Sequence, residues 1–78
     1  MNQSIEEILI ELGFNLWPDK NGWRSNRIYA NGDNNTSLLI YKYGGFIDFV
    51  ENKRGDLKTL IQLVKGFKTI DESSDWLK

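Results

Sequence analysis

The chain has 78 residues, 40% of them hydrophobic, which suits one small domain. It contains no cysteine and no histidine. That removes disulfides, thiolate nucleophiles, Cys/His zinc sites and histidine general bases. Ten bases nearly balance eleven acids. A domain of this size has a stability of roughly 4–12 kcal/mol, to be reached here by packing alone, and ten aromatic residues (three Trp, three Tyr, four Phe) are available for it.

In chain order, Ser4-Ile5-Glu6-Glu7 has the capping-box pattern, with Ser at the cap and Glu three residues later. Ile5, Ile8, Leu9 and Leu12 follow at helical spacing and Gly13 supplies a left-handed stop, predicting a helix over 5–12. Residues 14–17 read as a short strand. Pro18 to Gly22 read as a turn. Residues 23–29 read as a returning strand carrying Arg24 and Arg27, and residues 31–36 as a polar loop.

The strongest β pattern lies in 37–43 and 46–50, two apolar runs around Gly44-Gly45. That pair suits a two-residue hairpin turn. Tyr43 would then face Phe46, and Ile40 would face Phe49. One side of the hairpin would collect Leu38, Ile40, Ile47 and Phe49. The other would collect Leu39, Tyr41, Tyr43, Phe46 and Val50. A longer turn would shift the pairing and swap faces.

Asp56 is the expected cap of a helix over 56–65 with the buried stripe Leu57, Leu60, Ile61 and Val64. Thr69 to Glu72 form another capping box, opening a short helix over 70–77. One helix, three or four strands and two helices make an α+β domain with an antiparallel sheet. No run approaches the ~20 apolar residues of a membrane span. The polar, acidic N-terminus is not a secretory signal. A reducing, cytoplasmic setting fits the lack of cysteine.

Charge is distributed unevenly. Residues 1–19 hold four acids and no base, residues 20–68 hold nine bases and four acids, and residues 69–78 hold three acids and Lys78. The middle is either ordinary surface charge or a face for a polyanion. Arg24, Arg27, Lys42, Lys53, Arg54 and Lys58 are interleaved with Trp23, Tyr29, Tyr41, Tyr43 and Phe46. Cations that follow a phosphate backbone, with rings that stack on bases, suit single-strand binding. The alternative is that the rings are core and the cations only solubilise.

Catalysis has little support. Asp48 and Glu51 could do acid–base work or hold a hard cation, with Asn31 and Asp33 joining if the polar loop folds close. They could equally be solvated loop acids. No nucleophile–base pair can be assembled. Gly55-Asp56 is a helix cap before it is an anion site, since the acid repels phosphate.

Asn35-Thr36-Ser37-Leu38, Gly45-Phe46-Ile47-Asp48-Phe49 and Gly55-Asp56-Leu57-Lys58-Thr59-Leu60-Ile61, behind a leading helix ending Leu-Gly-Phe, resemble the N-terminal zinc-binding domain of bacterial and phage DnaG-type primases. They are most similar to zinc-less forms from phage and mobile elements. The resemblance spans roughly residues 5–68. It implies a zinc-ribbon-like sheet flanked by helices, with the family's ligand positions falling near Ile28, Asn31, Asp48 and Glu51, a set that cannot hold zinc. The implied role is a non-catalytic, cofactor-free DNA-binding domain of a replication protein. It would contact single-stranded template through Arg24, Arg27, Lys42, Lys53, Arg54 and Lys58, with Tyr41, Tyr43 and Phe46 stacking. A separate primase core or a helicase would be the partner, and the chain is either the first domain of a longer protein or a free-standing relative. The competing expectation is a protein-interaction module that docks through the aromatic hairpin face.

Overall fold

The structure is a computed structural model that describes residues 3–30 and 37–78. The polar loop over 31–36, including Asn31 and Asp33, lies outside the described residues. Helix α1 (Ile5–Leu12) begins at Ser4, whose side chain accepts from the Glu7 amide while the Glu7 side chain accepts from the Ser4 amide. It ends at Gly13 in the left-handed region. Strands β1 (Trp17–Asp19), β2 (Gly22–Ser25), β3 (Leu38–Tyr41), β4 (Phe46–Asp48) and β5 (Lys53–Gly55) follow, then helices α2 (Leu57–Lys65) and α3 (Ile70–Leu77). All neighbouring strands are antiparallel, in the order β1-β2-β3-β4-β5. The α+β class read from the sequence is correct, with five strands among the described residues in place of three or four.

Hairpin geometry decides which side chains meet. Ile40 pairs with Phe46, Leu39 with Ile47 and Leu38 with Asp48. The expected two-residue turn is therefore replaced by a longer one. The Gly44 amide donates to the Tyr41 carbonyl and the Tyr41 amide to the Gly45 carbonyl, with Gly44 at φ 105°. This is a three-residue loop closed by a glycine bulge. Pairing moves by three residues, an odd number, so the assignment of residues to faces changes. Phe46 turns inward beside Ile40, and Ile47 turns outward beside Leu39.

One face bears the row Pro18–Trp23–Ile40–Phe46–Gly55 and beside it Ser25–Leu38–Asp48–Lys53. Leu38, Ile40 and Phe46 join Ile8, Leu9 and Leu12 of α1, Phe14, and Leu60 and Ile61 of α2 in the core. Trp76 and Leu77 of α3 pack against that cluster. The helices thus cover this face, and their acids (Glu6, Glu7 and Glu11 on α1; Asp71, Glu72 and Asp75 on α3) belong to the helical layer.

Other boundaries also differ from the sequence reading. Residues 14–17 are not a strand: Phe14 is buried in the core and β1 starts only at Trp17. The strand expected over 23–29 leaves the sheet after Ser25, and a turn bonds the Ala30 amide to the Arg27 carbonyl. The strands expected over 37–43 and 46–50 shorten to 38–41 and 46–48. Strand β5 was not anticipated, because Lys53-Arg54-Gly55 has no apolar alternation and pairs through its backbone. Asp56 caps α2, accepting from the Thr59 amide at 2.9 Å, and the helix over 70–77 forms as expected behind Thr69.

Candidate nucleic-acid interface

The second sheet face carries the row Trp17–Arg24–Leu39–Ile47–Arg54, one residue from each strand, directly opposed from neighbour to neighbour. Beside it lies Asp19–Gly22–Tyr41. No residue of either row belongs to the core formed with the helices. Trp17 is 53% and Phe49 51% exposed, and Leu39 alone in the first row is buried. This is an open sheet face with an aromatic and cationic surface.

Local chemistry builds that surface. The Tyr43 ring folds back from the hairpin loop and stacks on Tyr41, with centroids 5.2 Å apart and planes within 15°. A Cβ on Gly45 would meet the Tyr43 ring at 2.9 Å, so glycine leaves room for it. A Cβ on Gly22 would strike the Ile40 carbonyl oxygen, so glycine lets β2 approach β3 beside Tyr41. The Arg24 guanidinium lies 4.9 Å from the Phe49 ring centroid and 3.6 Å from Asp19. The first contact holds both groups by a cation–π attraction. Arg54 is exposed at the end of the row. Next to it, Tyr41, Tyr43, Gly45, Phe46, Ile47, Arg54, Gly55 and Asp56 line a groove of ≈ 350 Å³.

Among the residues read from the sequence as contacts, Arg24, Tyr41 and Arg54 share this face, and Tyr43 stacks against it. Lys42 is exposed in the hairpin loop. Lys53 is exposed on the β5 edge, 3.2 Å from Glu51. Lys58 stands on α2, in the helical layer and away from the row. Two assignments are corrected. Phe46 is 2% exposed and packs with Ile40, so its ring cannot stack on a base. Arg27 is 6% exposed and cannot meet a phosphate. Leu39 was expected on the side of Tyr41 and Tyr43 and lies there, whereas Trp17, Ile47 and Phe49 were not expected on this surface. A correct hairpin register would have found Ile47.

Arg27 closes a polar cluster at the far end of the sheet. Its Nη1 lies 3.0 Å from Asp48 Oδ2 and 2.7 Å from Glu51 Oε2. The Tyr29 hydroxyl donates to Asp48 Oδ2 at 2.8 Å. Asp48 Oδ1 accepts from the Val50 and Glu51 amides at 2.9 and 3.0 Å. Asp48 therefore shapes the β4–β5 turn, which Asn52 completes at φ 57°. Ile28, the neighbouring position, packs against the core. Among the described residues no three His, Cys, Asp or Glu side chains come together as a metal-binding group.

Burial by itself would raise the Asp48 carboxyl. The Glu51 amide, Arg27, the Tyr29 hydroxyl and the Val50 amide outweigh it and hold Asp48 below its ordinary value of 3.8. Burial and the Asp48 carboxylate push the Tyr29 hydroxyl well above its usual value. The linkage has a definite sign. A depressed carboxyl stabilises the fold above its unfolded pKa, and that contribution is lost as pH falls through the folded value. Thermal melts should show wild-type Tm falling below about pH 4, with a shallower acid slope in Asp48→Asn. Equal slopes would show that Asp48 titrates alike in both states.

The chain matches no protein-family model, and comparison with curated proteins and with solved structures returns no significant match. No helix of the described residues is long and apolar enough to cross a membrane.

Proposed function

We propose that this domain binds single-stranded DNA on its open sheet face, without catalysis, as a metal-free relative of primase N-terminal domains acting in the cytoplasm beside a separate catalytic core. The observation that carries the reading is the row Trp17–Arg24–Leu39–Ile47–Arg54 beside the stacked Tyr41–Tyr43 pair. Rings offer sequence-tolerant stacking, while Arg24, Arg54 and the hairpin's Lys42 supply positive charge for phosphates. The acids of α1 and α3 sit in the helical layer behind the other face, which favours one orientation of a polyanion. Under the family resemblance, Asp48 and Glu51 would stand at two of the vacated ligand positions, and Arg27 pairs with both carboxylates.

Titration of a fluorescent oligothymidine at two salt concentrations tests the proposal. Affinity should fall as salt rises, with a slope of about −0.7 per phosphate neutralised on a single strand. Absence of binding at low salt contradicts it. Binding of a protein partner through the same face, with no DNA affinity, would support the interaction-module reading that the exposed Trp17 and Phe49 side chains also permit.

A further inference from the structure

The groove at the hairpin end of the open face combines three chemistries that the row itself does not. Its flat wall is the Tyr41–Tyr43 stack. Its cation is Arg54, exposed at the end of the row. Its acceptor is Asp56, which uses Oδ1 for both the Thr59 amide and the Thr59 hydroxyl. A carboxylate has about four acceptor positions, so Oδ2 retains capacity for a ligand donor. The volume of ≈ 350 Å³ lies at the small end of ligand pockets.

Resting on the single-strand reading above, we infer that this groove is a base-reading pocket selective for guanine. A planar base would lie along the tyrosine wall. Guanine alone among the common bases presents two adjacent acceptors, N7 and O6, beside two adjacent donors, N1–H and N2–H₂. The Arg54 fork suits the first edge, as arginine does with guanine elsewhere. Asp56 Oδ2 suits the second. Adenine has a donor where O6 would be and no N1–H. Cytosine offers a single amino donor beside acceptors. Thymine offers one imino donor between two carbonyls. Each would leave Arg54 or Asp56 partly unmatched, and an unmatched charged group in a contact is costly.

The test uses thymidine 12-mers carrying one central guanine, adenine, cytosine or hypoxanthine, measured by fluorescence anisotropy. The guanine strand should bind about tenfold tighter than all-thymidine. Hypoxanthine, which lacks N2–H₂, should fall between them. Asp56→Asn keeps a good helix cap but replaces an acceptor by a donor. It should bring guanine-strand and all-thymidine affinities together, at a small cost in Tm from the lost cap charge. Gly45→Ala, which displaces the Tyr43 ring, should weaken the guanine strand most. Equal affinity for guanine and thymine strands overturns this inference and leaves salt-dependent strand binding standing. A preference that survives both Asp56→Asn and Arg54→Met overturns the pocket assignment. Failure to bind any strand overturns the inference together with the function it rests on.

Discussion

Replacing Arg27 by alanine should remove about 3–5 kcal/mol of stability, because it leaves the Asp48 carboxylate buried without its cation. Asp48 is fully buried, and the Arg27 side chain is 7% exposed. Against a total of roughly 4–12 kcal/mol, that loss leaves a domain near its unfolding threshold. The melting temperature should fall by on the order of 12–40 °C. Arg27→Lys should recover only part of the loss, since an ammonium restores a cation but not the reach and donor geometry of the guanidinium whose Nη1 meets both carboxylates. Glu51→Gln should cost at most about 1 kcal/mol, because Glu51 is 46% exposed and solvent screens its side of the bridge. Denaturant and thermal melts of the three variants measure these losses. Equal losses for Arg27→Ala and Glu51→Gln would show that burial of Asp48 is not what gives the cluster its weight.

The second large effect is on binding. Removing both Tyr41 and Tyr43 side chains should weaken single-strand affinity at least about 30-fold, because each stacked ring contributes roughly 1–3 kcal/mol. Tyr43 is 73% exposed, so its loss should leave the melting temperature nearly unchanged. Phe46→Ala makes the opposite contrast. It should cost about 3–5 kcal/mol of stability through a core cavity, because its ring is buried. Lys58→Ala, on the helical layer, should alter neither by much. Anisotropy titrations paired with thermal melts separate these outcomes. Unchanged affinity in the tyrosine pair variant would remove the rings from the interface.

The helices were legible because their signals are local. Ser4 with Glu7, Asp56, and Thr69 with Glu72 mark starts, and Gly13 marks a stop, all within one turn of the residues they cap. The sheet's two faces were not legible, and one dihedral explains why. Gly44-Gly45 fits a two-residue turn by composition, yet only Gly44 takes the left-handed conformation while Gly45 pairs with Tyr41. That three-residue shift placed Phe46 in the core and Ile47 outside. Arg24 and Arg27 show the same limit. They are three residues apart and alike in sequence context, but the strand ends at Ser25. Arg24 therefore stays on the open face over Phe49, and Arg27 turns in to Asp48. Asp48 and Glu51 were read as an acid–base or cation-holding pair or as solvated loop acids, whereas Asp48 is buried and both carboxylates meet Arg27. Their partner was hidden because contact with Arg27 depends on how the chain leaves β2.

Backbone and side-chain NMR shifts of the isotope-labelled chain, followed during titration with oligothymidine, test the central claim most directly. The largest changes should fall on the Trp17 indole and on Arg24, Leu39, Tyr41, Tyr43, Ile47 and Arg54, with α1 and α3 left nearly still. Changes concentrated on the acidic helices, or none anywhere, would contradict it.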